Sequence, residues 1–235
     1  MNWSWFVRGL LAGIRTERLP DGDVGFELSP GLPVRTTFAT ESEAEEIAQR
    51  CPTEALQRAG QDVAVQSGRC VTCMRCARGA QTQNWRHDTH WATATTATSA
   101  LPRTFRKSIH VRIVDAGDCG ACLNELAQLN GPLYNLHRFG IFLTPTPRQA
   151  DVLLVVGPVT THMTSPLQAA YEAMPEPKRV VAVGACAISG GIFGPSAMSA
   201  AGASGTVPVD VIVPGCPPPP LAIVDALRTV CGQIA

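Results

Sequence analysis

DVLLVV, residues 151–156, is apolar from its second residue onward, rich in valine, and closed by Gly157 and Pro158. A short unbroken apolar run between turn residues reads as a strand buried on both faces. The same form recurs as IHVRIV at 109–114, RVVAV at 179–183 and VDVIV at 209–213. Each run is followed by Gly and Pro punctuation, and most are separated by stretches able to form helices. Buried strands alternating with helices predict a parallel sheet covered on both sides, an α/β arrangement. The series closes on PPLAIVDALRTVC at 219–231, a helix with Pro before it and Leu221, Val224, Leu227 and Cys231 on one face.

Outward from this core the composition changes near residue 100. RHDTHWATATTATSALPRT at 86–104 is dense in Thr and Ala, lacks apolar periodicity and reads as a linker. The segment before it is less regular. ESEAEEIAQ at 41–49 reads as an acidic helix ending at Cys51-Pro52. The N-terminus carries Trp3, Trp5, Phe6, Leu10, Leu11 and Ile14 with Arg8 and Arg15 between, which suits a helix packed on a protein neighbour or an amphipathic anchor at a membrane interface. The chain has 235 residues, enough for one or two domains at roughly 150 residues each.

Apolar residues make up 45% and charged residues 16%, a globular rather than a disordered composition. Lys+Arg and Asp+Glu both count 19, so no net field draws the chain to nucleic acid. No run approaches the roughly 20 apolar residues of a spanning helix. MNWSWFVRGLLAGIR at the start lacks the ordered regions of a secretory signal, and a reducing cytosol is expected. In that setting nine clustered cysteines point to metal or redox chemistry rather than disulfides.

Cys70-Val-Thr-Cys73-Met-Arg-Cys76 is a C-x2-C-x2-C run, the core of a bacterial ferredoxin cluster motif. In two-cluster ferredoxins the fourth cysteine, followed by Pro, serves the other cluster. Here that position is Ala80, while Cys51-Pro52 upstream stands where the fourth cysteine of a preceding motif would be. Loss of one cluster from such a pair leaves one [4Fe-4S] cluster on Cys51, Cys70, Cys73 and Cys76. Zinc also accepts four thiolates, but zinc modules favour two separated C-x2-C pairs.

Cys119, Cys122, Cys186 and Cys216 are far apart in sequence, yet each falls just beyond the carboxyl end of a predicted strand. That edge of an open α/β sheet is where ligands bind, so three loops can bring four thiolates together. Gly117, Gly120, Gly184, Gly190, Gly191 and Gly215 allow close backbone approach, and the prolines after Cys216 stiffen its loop. The plain alternative is a set of buried structural cysteines, which is how Cys231, late on an apolar helix face, is read.

VDAGDCGACLNEL (114–126), RFG (138–140), TPRQADVLLVVGPVT (146–160), MPEPK (174–178), GACAISGG (184–191) and VPVDVIVPGCPPPP (207–220) resemble the small subunit of membrane-associated, energy-converting [NiFe] hydrogenases and the homologous subunit of respiratory complex I. The likeness spans about residues 105–231. FVRGLLAGIRTERLPDG (6–22), CPTEAL (51–56) and GRCVTCMRC (68–76) carry a weaker likeness to the ferredoxin-like subunit of hydrogenase and formate hydrogenlyase complexes. The resemblance implies a fusion: a small α+β ferredoxin-like domain at 1–85, a linker at 86–104, and a flavodoxin-like α/β domain at 105–235. It implies two [4Fe-4S] clusters, the second held by Cys119, Cys122, Cys186 and Cys216.

Electrons would then pass between the two clusters and an active site in a separate large subunit, alongside membrane-arm subunits and a soluble electron donor. The chain would be cytoplasmic and peripheral to the membrane. Complex I subunits place the first two ligands as adjacent cysteines, whereas Cys119 and Cys122 follow the hydrogenase spacing. A large subunit without nickel, as in a quinone-reducing or ion-pumping module, is the alternative; a zinc-stabilised binding module is another.

Glu125 occupies the position of a family glutamate near the cluster, where a carboxyl with a raised pKa could relay protons or simply pair locally. Arg148 could donate hydrogen bonds near the cluster, though pairing with Asp151 is favoured. His137, His162 and the basic group Arg103, Arg106 and Lys107 are read as surface or subunit-facing residues.

Overall fold

The computed structural model describes residues 3–12, 31–78, 85–86, 92–94 and 100–233. Ile14, Arg15, most of the 6–22 stretch, Ala80 and parts of the 86–104 linker lie outside them. In chain order the elements are α1 (Ser4–Ala12), β1 (Leu32–Pro33), β2 (Thr36–Thr37), α2 (Glu41–Gln49), β3 (Leu56–Ala59), β4 (Asp62–Val65), β5 (Trp85–Arg86) and β6 (Thr93–Ala94). There follow β7 (Ile109–Asp115), α3 (Ala121–Gln128), β8 (Ile141–Leu143), β9 (Val152–Val156), α4 (Thr161–Glu172), β10 (Arg179–Val183), α5 (Gly184–Ser189), β11 (Val211–Val213) and α6 (Pro220–Val230).

The four apolar runs form the heart of one sheet, ordered β6-β11-β10-β9-β7-β8. The five strands from β7 onward are parallel, with Val181 opposite both Leu154 and Val211, and β6 adds antiparallel at the edge. Numbered by their own sequence, the parallel strands lie 2-1-3-4-5, the flavodoxin-like order, with the switch between β7 and β9. Every residue of β9 is buried. Val152, Leu154 and Val156 face the layer of α3 and α6, while Leu153 and Val155 face that of α4 and α5.

α6 departs from the one-faced helix the sequence predicts. Ala222, Ile223 and Ala226 are buried along with Leu221, Val224, Leu227 and Cys231, and so are Asp225 and Arg228. The outer side is covered by the chain entering the sheet, where the Leu101 amide donates to the Val230 carbonyl at 2.7 Å. Arg228 lies over the Phe139 ring at 5.5 Å.

The N-terminal segment builds a smaller unit, an antiparallel sheet β2-β4-β3 with α2 against it. α2 begins with a capping box: the Glu43 amide donates to Thr40 Oγ1 and the Thr40 amide to the Glu43 carboxylate. Phe38, Ala44, Ile47, Leu56, Val63 and Cys76 form its core. Leu32, Ala55 and Cys70 belong instead to the core of the large sheet, so the small unit is seated directly on the α/β unit. α1 is exposed along its whole length, with Trp5 74% and Leu11 80% accessible. No described helix is long and apolar enough to cross a membrane.

Candidate metal centres

The loop after β7 is folded by two aspartates. Asp115 Oδ1 accepts from the amides of Gly117 and Asp118 at 2.9 and 2.7 Å. Asp118 Oδ2 accepts from Gly120 and Leu123 at 2.9 and 3.2 Å, satisfying amides at the start of α3. This leaves Cys119 exposed in the loop and Cys122 buried in the first turn of α3. α5 starts directly from the end of β10, with Gly184 in the left-handed region at φ 87° and Cys186 buried two residues on. Gly215, at φ 134°, precedes Cys216, and its carbonyl accepts from the Ala185 amide at 2.8 Å.

These three loops bring Cys119, Cys122, Cys186 and Cys216 to one edge of the sheet. The Cys186 and Cys216 thiols lie beside each other. A Cβ built on Gly184 would stand 2.7 Å from Cys122 Sγ, and one on Gly191 would stand 2.7 Å from Cys186 Sγ. The glycines therefore leave room that any side chain would fill with a methyl against sulfur. Burial pushes the Cys122 thiol up to about 12, with the charges of Asp118, Cys216, Cys119 and Glu125 adding to it. The interaction between Cys186 and Cys216 raises the first and lowers the second.

The other four cysteines converge in the small unit. Cys51 follows α2, and its sulfur accepts from the Ala55 amide at 3.2 Å and lies 3.6 Å from Thr53 Oγ1. Burial raises this thiol, but the hydrogen bonds from Thr53, Ala55 and Leu56 outweigh it and hold it below its ordinary value. In the 70–76 loop Thr72 and Met74 have positive φ, 53° and 59°. Left-handed backbone costs a residue with a side chain roughly 1–2 kcal/mol, and for β-branched Thr72 it is a true outlier. Such reversals are the backbone pattern of anion-binding concavities. Cys51, Cys70, Cys73 and Cys76 line one pocket. Burial, with smaller contributions from the charges of Cys76, Cys51 and Cys73, pushes Cys70 up to about 11 against a hydrogen bond from the Thr72 amide.

Eight thiols are thus gathered four and four. Six of them are buried or half-buried, Cys73 and Cys119 being exposed, and as thiolates they repel one another, so each set suits a cationic inorganic core that deprotonates and neutralises its ligands. Among the described residues no group of three or more Cys, His, Asp or Glu is gathered tightly enough to hold a single metal ion.

Glu125 is half-buried on α3, and burial raises its carboxyl above the usual range. Tyr134 stands beside it and is raised by burial and then by the Glu125 charge. Arg148 is exposed, and the favoured pairing with Asp151 is replaced: Asp151 Oδ2 accepts from the His110 amide at 2.7 Å and lies 3.6 Å from His110 Nδ1. His137, His162, Arg103, Arg106 and Lys107 are exposed, and Cys231 is buried in the main core. Asp118 and Tyr134 were not singled out by sequence. Asp118 carries a usable signal, an aspartate just ahead of a helix start, whereas Tyr134 comes from a loop whose path sequence does not reveal.

Residues 119–230 match the family model described as NADH ubiquinone oxidoreductase, 20 Kd subunit. The uncharacterized protein MJ0516 of Methanocaldococcus jannaschii is 47% identical over 131 residues, 55% of this chain and 88% of that one. Formate hydrogenlyase subunit 7 of Escherichia coli is 43% identical over 136 residues, 58% of this chain and 53% of its own length. NAD(P)H-quinone oxidoreductase subunit K of a Picosynechococcus species is 48% identical over 107 residues, 45% of this chain and 44% of its own. The chain thus spans about half the length of these last two relatives.

Proposed function

The chain belongs to the family of the NADH ubiquinone oxidoreductase 20 kDa subunit, and from that premise we propose that it is an iron–sulfur electron-transfer subunit of a hydrogenase-type, membrane-associated complex. The family implies an iron–sulfur cluster. The finer reading is two [4Fe-4S] clusters: one on Cys51, Cys70, Cys73 and Cys76, the other on Cys119, Cys122, Cys186 and Cys216. The observation that carries it is the convergence of eight thiols into two sets, one lining a cavity and one at the carboxyl edge of the parallel sheet. The division into a ferredoxin-like domain at 1–85, a linker at 86–104 and an α/β domain at 105–235 belongs to the same proposal.

Each cluster, when bound, supplies a site that holds and releases one electron. The chain's own residues fix where this occurs. The cysteines supply the thiolates; Gly184 and Gly191 keep side chains clear of the Cys122 and Cys186 sulfurs. Asp118 fixes the first turn of α3. Glu125, raised by burial and facing Tyr134, is placed to hold a proton beside the second site. The bond-breaking site belongs to a large subunit, with membrane-arm subunits and a soluble donor as further partners, on the cytoplasmic side of the membrane. The hydrogenase-type spacing of Cys119 and Cys122 favours this branch over a nickel-free, quinone-reducing one.

Anaerobically purified protein should be brown and hold about eight irons per chain, the content of two cubanes. Colourless protein with stoichiometric zinc would overturn the reading.

A further inference from the structure

A short contact joins the two thiol sets. The turn Ser67–Arg69, which leads into Cys70, packs on α5, which carries Cys186. The Ser189 hydroxyl lies 3.0 Å from the Gly68 carbonyl and 3.1 Å from the Ala185 carbonyl. Ala185 is bonded directly to Cys186, and Gly68 is separated from Cys70 by Arg69 alone. The approach is close: a Cβ on Gly68 would stand 2.6 Å from Ile188 Cγ2. Ser189 and Gly68 are both half-buried.

We infer that Ser189 is the electronic bridge between the two sites. This rests on the two-cluster reading above. Tunnelling through matter decays with distance, and decays faster across an empty gap than along bonds and hydrogen bonds. The hydroxyl has one proton to donate; given to the Gly68 carbonyl, it joins that turn to the Ser189 side chain, whose backbone runs along α5 to Cys186, and so replaces a gap between the units with a hydrogen-bonded path. One electron leaves the first site, which is oxidised by one unit, and enters the second, which is reduced by one. Ser189 keeps its proton throughout. Ser189 is a positioning residue that sets the coupling and does not exchange electrons itself. Gly68 is its counterpart, since only a residue without a side chain lets the turn lie against Ile188.

The test uses the full cluster-loaded chain, half-reduced with dithionite. The exchange rate between its two singly reduced forms is read from averaging of the shifted cysteine β-proton NMR signals. The dipolar coupling between the clusters is read from EPR of the fully reduced protein. Ser189→Ala should slow exchange several-fold with the dipolar coupling unchanged, and Ser189→Thr, which keeps the hydroxyl, should restore it. Gly68→Ala should weaken the dipolar coupling by wedging the turn from α5. Two intact EPR signals with an unchanged rate in Ser189→Ala would overturn the bridge and leave the two-cluster reading standing. A slower rate together with weaker coupling in Ser189→Ala would show that the residue only sets spacing, which also overturns it. A single EPR signal in the unaltered chain would defeat the two-cluster reading and the bridge with it.

Discussion

Gly184 does two things that no other residue can. Its φ of 87° lies in the left-handed region, and its missing Cβ leaves space where a methyl would stand 2.7 Å from Cys122 Sγ. Gly184→Ala therefore pays roughly 1–2 kcal/mol in backbone strain and forces that thiol or α5 to move. The expected result is loss of about half the iron, with the EPR signal of the 51/70/73/76 set retained; iron analysis and EPR check it. Glu125 makes a different prediction. Burial raises its carboxyl, so between its ordinary and raised values the folded chain holds a proton that the unfolded chain has released. Stability then falls as pH rises through that window and levels off above it. Glu125→Gln should flatten this part of the profile, measured as unfolding midpoints of the two proteins in steps across mildly acidic pH.

The elements that position these residues were legible in unequal degree. α3 depends on Asp118, whose carboxylate takes the Gly120 and Leu123 amides. Asp118→Ala should cost about 0.5–2 kcal/mol, seen as a lower unfolding midpoint, and should loosen the turn holding Cys119 and Cys122. The strands β7, β9, β10 and β11 stood out because burial on both faces demands unbroken apolar runs. α2 was readable from its acidic start and the Cys-Pro at its end. β8 was not, because its three residues, Ile141–Leu143, are too few to show a period. The short strands β2 to β4 carry mixed polar residues, as Thr36–Thr37 shows, and are fixed by pairing across the chain. For α6 the spacing of Leu221, Val224, Leu227 and Cys231 shows one apolar face, and only tertiary packing buries Asp225 and Arg228 as well. The proposed cysteine sets rest on spacing and on the place of Cys119, Cys122, Cys186 and Cys216 after strands. Of the residues around them, Asp118 is marked locally by its place ahead of α3, whereas Tyr134 beside Glu125 and Ser189 against Gly68 depend on contacts between separate segments that no local pattern records.

At the scale of the molecule, the small unit and the α/β unit share a core. Leu32, Ala55 and Cys70 pack with the large sheet, and Ser189 reaches across to Gly68 at 3.0 Å. That arrangement sets two thiol groups side by side in one chain, as an electron conduit requires. α1 is left as an exposed apolar helix. In the proposed function the eight cysteines serve two separate clusters. Low-temperature EPR of the reduced protein, compared between Cys73→Ala and Cys186→Ala, tests it most directly. Each variant should lose a different signal and keep the other; loss of the same signal in both would contradict the account.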